Sequence, residues 1–159
     1  MKKRRMGCRW ITPGAAALAL VFGLLMNFAC KSNDLQEGLS AKFSTSKPEY
    51  GQGEAIRLQL RLGNDNEEPM TLTFASSQIY DFWVHDPAGN EVWRWSASRM
   101  FAAVITHVDI MPGGAIDYAE NWEQLSDGGA IVPPGTYTIH AGIVIADQPR
   151  IEPVSVVIR

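Results

Sequence analysis

The sequence predicts an all-β domain, an antiparallel sandwich of about eight or nine short strands, preceded by an export segment. Three observations carry this. Apolar and polar residues alternate with period two in one segment after another, the pattern of strands with one buried and one wet face. Gly- or Pro-bearing turns separate most of these segments. No stretch between them has the length and 3.6-residue period of a crossover helix, and only Ser96 to Ala102 lacks a breaker and could form a helical turn.

The first thirty residues differ in kind from the rest. Lys2, Lys3, Arg4, Arg5 and Arg9 carry five positive charges with no acid among them, and an apolar run from Ala15 to Met26 follows. A basic head, ~7–15 apolar residues and small residues at the end define a secretory signal. The ~20 residues of a membrane-spanning helix are reached only by counting Pro13, Gly14 and Asn27, so a cleaved signal is expected and a retained anchor is the alternative. Ala29 and Cys30 fit the end of a bacterial lipoprotein box; Asn27 and Phe28 fit neither that box nor a small-x-small secretory site. Cys30 stands between the apolar run and a polar tether over residues 31–39, where a diacylated thiol would stand. It is therefore the expected lipidation site, with the several acyl chains that hold a protein stably on a membrane, and the cell envelope is the expected location.

Without residues 1–30, nine basic residues face seventeen acidic ones, a formal balance of −8. Nucleic acid, which demands Lys and Arg clusters, is excluded as a partner. Cys8 and Cys30 are the only cysteines, so the domain over residues 40–159 has no disulfide and no thiolate site, and a packed core must hold it together.

The strands follow in order. Leu39, Ala41 and Phe43 begin the pattern. From Glu54 to Leu62, Ile56, Leu58, Leu60 and Leu62 point one way and Arg57, Gln59 and Arg61 the other. Gly63 to Pro69 reads as a turn. Met70, Leu72 and Phe74 alternate with Thr71 and Thr73. Gln78 to His85 and Glu91 to Trp95 flank the tight turn at Pro87-Ala88-Gly89-Asn90. Met100 to Ile110 contains a less regular strand, and Pro112-Gly113-Gly114 closes it. Ile116, Tyr118 and Trp122 define the next strand. Tyr137, Ile139, Ala141, Ile143 and Ile145 share a face after Pro133-Pro134-Gly135, and Val154, Val156 and Ile158 form the last strand. Regular strand spacing without helices favours immunoglobulin-like Greek-key connections.

Catalytic signals are weak. His85, His107 and His140 belong to no metal-ligand spacing, and no GxSxG elbow places a nucleophile. The acidic turn Asn64-Asp65-Asn66-Glu67-Glu68 lacks the central Gly of a calcium loop. No enzyme, metal or cofactor is expected. The aromatic cluster is more informative. Tyr80, Phe82 and Val84 should face the core and Asp81, Trp83 and His85 the other side. Trp93 and Trp95 share a face opposite Arg94, which should pair with Asp81 across the hairpin. Tyr80, Phe82 and Trp93 are expected in the core, and at least one of Trp83 and Trp95 partly exposed.

Tyr80-Asp81-Phe82-x-Val84, Asp86-x-x-Gly89, Val92-Trp93-Arg94-Trp95-Ser96 and Phe101, followed by Pro112-Gly113, Trp122 and Pro134-Gly135-x-Tyr137, resemble the signature of the BsuPI-type intracellular proteinase inhibitor family over residues 40–145. The resemblance implies an immunoglobulin-like sandwich, with Tyr80, Phe82, Trp93, Trp95, Trp122 and Tyr137 as fold determinants. It also implies inhibition of a serine proteinase by binding, with no reactive site assigned. An export signal is at odds with an intracellular role. The expected function is a non-enzymatic, protein-binding envelope domain with a proteinase as the implied partner; the alternative is a structural or accessory module with no inhibitory role. The Asn64–Pro69 turn and the segment from Glu123 to Pro134 are the candidate contact surfaces.

Overall fold

The computed structural model describes residues 37–146 and 148–159; the signal segment, Cys30 and most of the tether lie outside them. The strands, in chain order, are β1 (Leu39–Thr45), β2 (Glu49–Tyr50), β3 (Ile56–Asn64), β4 (Met70–Phe74), β5 (Tyr80–His85), β6 (Glu91–Arg94), β7 (Thr106–Ile110), β8 (Ala115–Trp122), β9 (Gly135–Ile143) and β10 (Val154–Ile158). Alternation becomes strand wherever one face can be sealed. In β3, Ile56, Leu58, Leu60 and Leu62 are fully buried while Arg57, Gln59 and Arg61 face water. In β9, Tyr137, Ile139, Ala141 and Ile143 are buried and Ile145, just beyond, only partly.

β3 lies between β1 and β8, antiparallel to both. A second sheet runs β2-β10-β9-β5-β6, and β4 pairs with β7 in a separate ribbon. The described chain changes sheet at most steps; only β5–β6 and β9–β10 are hairpins of sequence neighbours. The inner faces of the two larger sheets meet. Phe43 of β1 lies 5.7 Å from Phe82 of β5, and Trp122 of β8 lies 5.6 Å from Tyr137 of β9. Met70, Leu72, Phe74 and Ile110 of the ribbon join the same core. The result is an all-β sandwich with one apolar interior.

Five expectations are corrected. The described residues form ten strands, the extra one being β2, which is two residues long and too short to show alternation. It runs parallel to β10, so the pairing is not wholly antiparallel. Gly63 and Asn64 continue β3 instead of opening a turn. Asn64 is buried, donating from Nδ2 to the carbonyls of Glu68 (2.8 Å) and Ile110 (2.9 Å), bonds that outweigh its turn preference. The strand expected within Met100 to Ile110 does form, as Thr106–Ile110. Ser96 to Ala102 forms no helix; it holds two reverse turns, with Ala97 N donating to Arg94 O and Arg99 N to Ser96 O, both at 3.1 Å. Tyr80 and Trp93 are half-buried, unlike Phe82, because they sit at the rim of the sandwich where the chain leaves β6.

Trp122 has the largest of the fully buried side chains. Trp122→Ala should cost about 3–5 kcal/mol, and Trp93→Ala distinctly less. Urea unfolding of both variants checks this, and equal losses would contradict the rim placement of Trp93.

Candidate functional site

The β5–β6 turn is set by Asp86. Its carboxylate accepts the N–H groups of Ala88 and Asn90, both at 2.8 Å; hydrogen bonding, first from Asn90, lowers its pKa. Gly89 takes a φ of 86°, a conformation that glycine adopts without steric cost. A register shift at Val84/His85 then sets Arg94 opposite Trp83. The Asp81–Arg94 pair forms as expected, at 3.0 Å, with the Asp81 side chain 11% exposed. Arg94 also holds Glu91, a bond that raises the Arg94 pKa and lowers that of Glu91. Its guanidinium lies 5.0 Å over the Trp83 ring.

Asp81 has further partners that residue pairing alone does not reveal. It accepts Ser96 Oγ at 2.7 Å and the Ser96 amide at 3.2 Å, while Trp95 N donates to Phe82 O at 2.9 Å. The chain leaving β6 is thereby fastened to β5. Arg99 places its guanidinium 4.2 Å over Trp95 and 3.7 Å from Glu120 of β8. The Phe101 ring packs 5.7 Å from Trp95. Ala102 exchanges two bonds with Ser77: Ala102 N donates to Ser77 Oγ at 2.9 Å, and Ser77 N donates to Ala102 O at 3.0 Å. Trp95 in turn rests on Tyr80 at 4.6 Å. The Tyr80 hydroxyl donates to Glu120 at 2.7 Å, and burial first, then Glu120, push its pKa up. Between these anchors Met100 is 100% exposed, and beyond them so are Val104 (53%) and Ile105 (65%). Met100, Val104 and Ile105 thus present exposed apolar side chains on either side of the Ala102 anchor.

The Glu123–Pro134 segment forms an opposing rim. Gln124 sits at φ 57°, in the left-handed region costly for a residue with a Cβ. It is held there by burial and by its amide, which donates to the carbonyls of Gly51 (2.9 Å) and Glu54 (2.8 Å) and accepts Gly53 N (2.8 Å). Leu125 bridges Ile131 across the Ser126–Ala130 turn, and Asp127 caps β6 by accepting Arg94 N at 3.0 Å. A groove of about 330 Å³ opens between Ala97–Ser98 and Ser126–Gly129 over Trp93 and Trp122. The Asn64–Pro69 turn lines no part of it; that turn is braced internally by Asn64.

Residues 43–148 match the model of the family described as BsuPI, intracellular proteinase inhibitor. The chain belongs to the BsuPI family. The matched region contains the Asp81 anchor, the Arg99–Ile105 loop, the opposing rim and all six signature aromatics. Those aromatics form two strings. One runs Phe82–Tyr80–Trp95 (5.4 and 4.6 Å) beneath the loop; the other runs Trp93–Trp122–Tyr137 (6.2 and 5.6 Å) beneath the groove. No curated protein matches the sequence significantly. Among solved structures, the chain is similar to the alkylpurine DNA glycosylase AlkC of Pseudomonas fluorescens (12% identity, TM-score 0.49, 77% of this chain and 30% of that one). It is also similar to a β-glucosidase of Erythrobacter marinus (13%, 0.45, 76% and 16%) and to a CARDB domain from Pyrococcus furiosus (12%, 0.42, 76% and 91%). The chain thus spans less than a third of the glycosylase and of the glucosidase, and at such identities no chemistry carries over.

Cys30 lies outside the described residues. The sequence reading missed Met100, Val104 and Ile105 as exposed groups; the available signal was the loss of period-two alternation across Met100-Phe101-Ala102-Ala103-Val104-Ile105. Among the described residues no three His, Cys, Asp or Glu side chains gather closely enough to hold a metal ion. On the outer face Trp83 stacks on His140 at 5.3 Å, with His85 at 4.7 Å edge-on to the same imidazole. Gly142 leaves room for the indole, since a Cβ there would lie 3.3 Å from it.

Burial, then His85, lowers the His140 pKa from 6.5. The unfolded chain therefore binds the proton more readily, so stability falls as pH drops from about 6.5 through the folded-state value. His140→Gln should flatten that part of a plot of melting temperature against pH; an unaltered slope would assign it to other groups. Asp81→Ala removes charge-assisted bonds worth roughly 1.5–3 kcal/mol each before reorganisation. It should speed limited proteolysis within residues 95–105, and unchanged protection of that loop would show that Asp81 does not hold it.

Proposed function

We propose that this chain is a non-enzymatic protein-binding module of the cell envelope, built on an immunoglobulin-like scaffold, that restrains a serine proteinase through the Arg99–Ile105 loop. The carrying observation is that this loop exposes apolar side chains while the chain is held on both sides, before Met100 by the Arg99 side chain against Trp95 and Glu120, and after it by the backbone of Ala102 bonded to Ser77. Such preorganisation lowers the entropy cost of docking and opposes the unfolding that a proteinase needs for productive cleavage. Family membership supports a proteinase as partner. The basic and apolar head of the chain and the position of Cys30 support export and lipid attachment, so the relevant proteinase is one met outside the cytoplasm.

The full-length chain, purified in detergent, should reduce the activity of a subtilisin-like proteinase linearly to a one-to-one end point. Rapid digestion of the chain with proteinase activity intact would overturn the inhibitory reading and favour an accessory module. Separately, Cys30→Ser should move the protein from the membrane to the soluble fraction; full membrane retention would instead favour an uncleaved anchor.

A further inference from the structure

We infer that Met100 is the side chain that enters the primary specificity pocket of the bound proteinase, and that this pocket is apolar. The inference rests on the docking loop proposed above and adds to it the class of proteinase. Arg99 and Met100 are the two long side chains at the loop's most exposed point. The Arg99 guanidinium is engaged, stacked at 4.2 Å on Trp95 and 3.7 Å from Glu120. Presenting it to a cation-binding pocket would break both contacts. Met100 is fully exposed, so its transfer into an apolar pocket breaks nothing and buries a flexible, polarisable side chain suited to irregular apolar surfaces. Its neighbour Phe101 is turned inward onto Trp95. The loop therefore offers one free apolar side chain between two held ones.

The same anchoring limits cleavage. Attack by the proteinase's serine on the Met100 carbonyl forms the acyl ester and breaks the Met100–Phe101 peptide bond, whose nitrogen takes a proton from the proteinase's histidine. The new amine stays in place, because Phe101 packs on Trp95 and Ala102 holds Ser77 through two hydrogen bonds. Its return attack on the ester restores the peptide, hands the proton back through the histidine to the serine, and competes with hydrolysis by water.

The test uses full-length chain against two serine proteinases, one with an apolar primary pocket (chymotrypsin or subtilisin type) and one with an acidic pocket (trypsin type). Wild type should inhibit the first and not the second. Met100→Asp should weaken inhibition of the first about 100-fold at an unchanged melting temperature. Met100→Lys should transfer inhibition to the second. Mass spectrometry of the equilibrated complex should find any nick at Met100–Phe101. If wild type inhibits the apolar-pocket proteinase and Met100→Asp inhibits it equally, this inference fails while the inhibitory reading stands. If wild type inhibits neither proteinase, both fail.

Discussion

The carboxylate of Asp81 is the constraint on which the rest of the surface depends. It is mostly buried in a strand of the larger sheet, where an unpartnered charge would be costly. Arg94, Ser96 Oγ and the Ser96 amide all converge on it. Meeting that demand forces the chain leaving β6 to fold back over β5 at once. A partly buried ion pair contributes little net stability by itself. What it contributes here is geometry: it fixes where Trp95 begins, and Trp95 is the floor on which Arg99 and Phe101 rest.

From that floor the loop acquires a division of labour. The Arg99 and Phe101 side chains lie against Trp95 and the backbone of Ala102 is bonded to Ser77, while Met100, Val104 and Ile105 stay outside. In a monomeric protein the usual fate of a Met-Phe-Ala-Ala-Val-Ile run is a buried strand. Here the run has aromatic and hydrogen-bonding supports on one side only, so Phe101 finds a neighbour and Met100 does not. The opposing rim is rigid for a different reason. Gln124 is kept in a left-handed conformation by three hydrogen bonds to the β2–β3 connection, and Asp127 ties the same segment to Arg94. Both rims therefore join at Arg94, one through its side chain and the other through its amide.

Much of this was legible in the sequence, and the exceptions share a cause. Alternation in β3 and β9 identifies their buried residues, and hairpin parity identifies the Asp81–Arg94 pair. These are local or nearest-strand properties. β2 was invisible because two residues carry no period. Asn64 was read as a turn residue because its partners, Glu68 and Ile110, lie across a loop and on another sheet. Ser96 gave no sign that it would cap a carboxylate fifteen positions away. Met100 to Ile110 was read as containing a strand, but an apolar run in one dimension does not say where the strand begins or which side chains before it will find a neighbour. Contacts that depend on tertiary placement were the ones missed, and the loop is built almost entirely from them.

Charge and surface chemistry point to separate roles for the body and the loop. Beyond residue 30 the chain carries a formal balance of −8, yet no acid lies between Arg99 and Thr106. An acidic body draws a cationic partner from a distance, and that attraction is screened within about 10 Å at 0.1 M salt. A contact made through Met100, Val104 and Ile105 would be apolar and largely indifferent to salt. Ionic strength should therefore act mainly on the rate of association, while residence time is set by the loop. Loss of steering then does not entail loss of the complex once formed. The fastened loop is what makes the separation workable, since a loose one would have to be ordered at each encounter and would lose affinity along with rate.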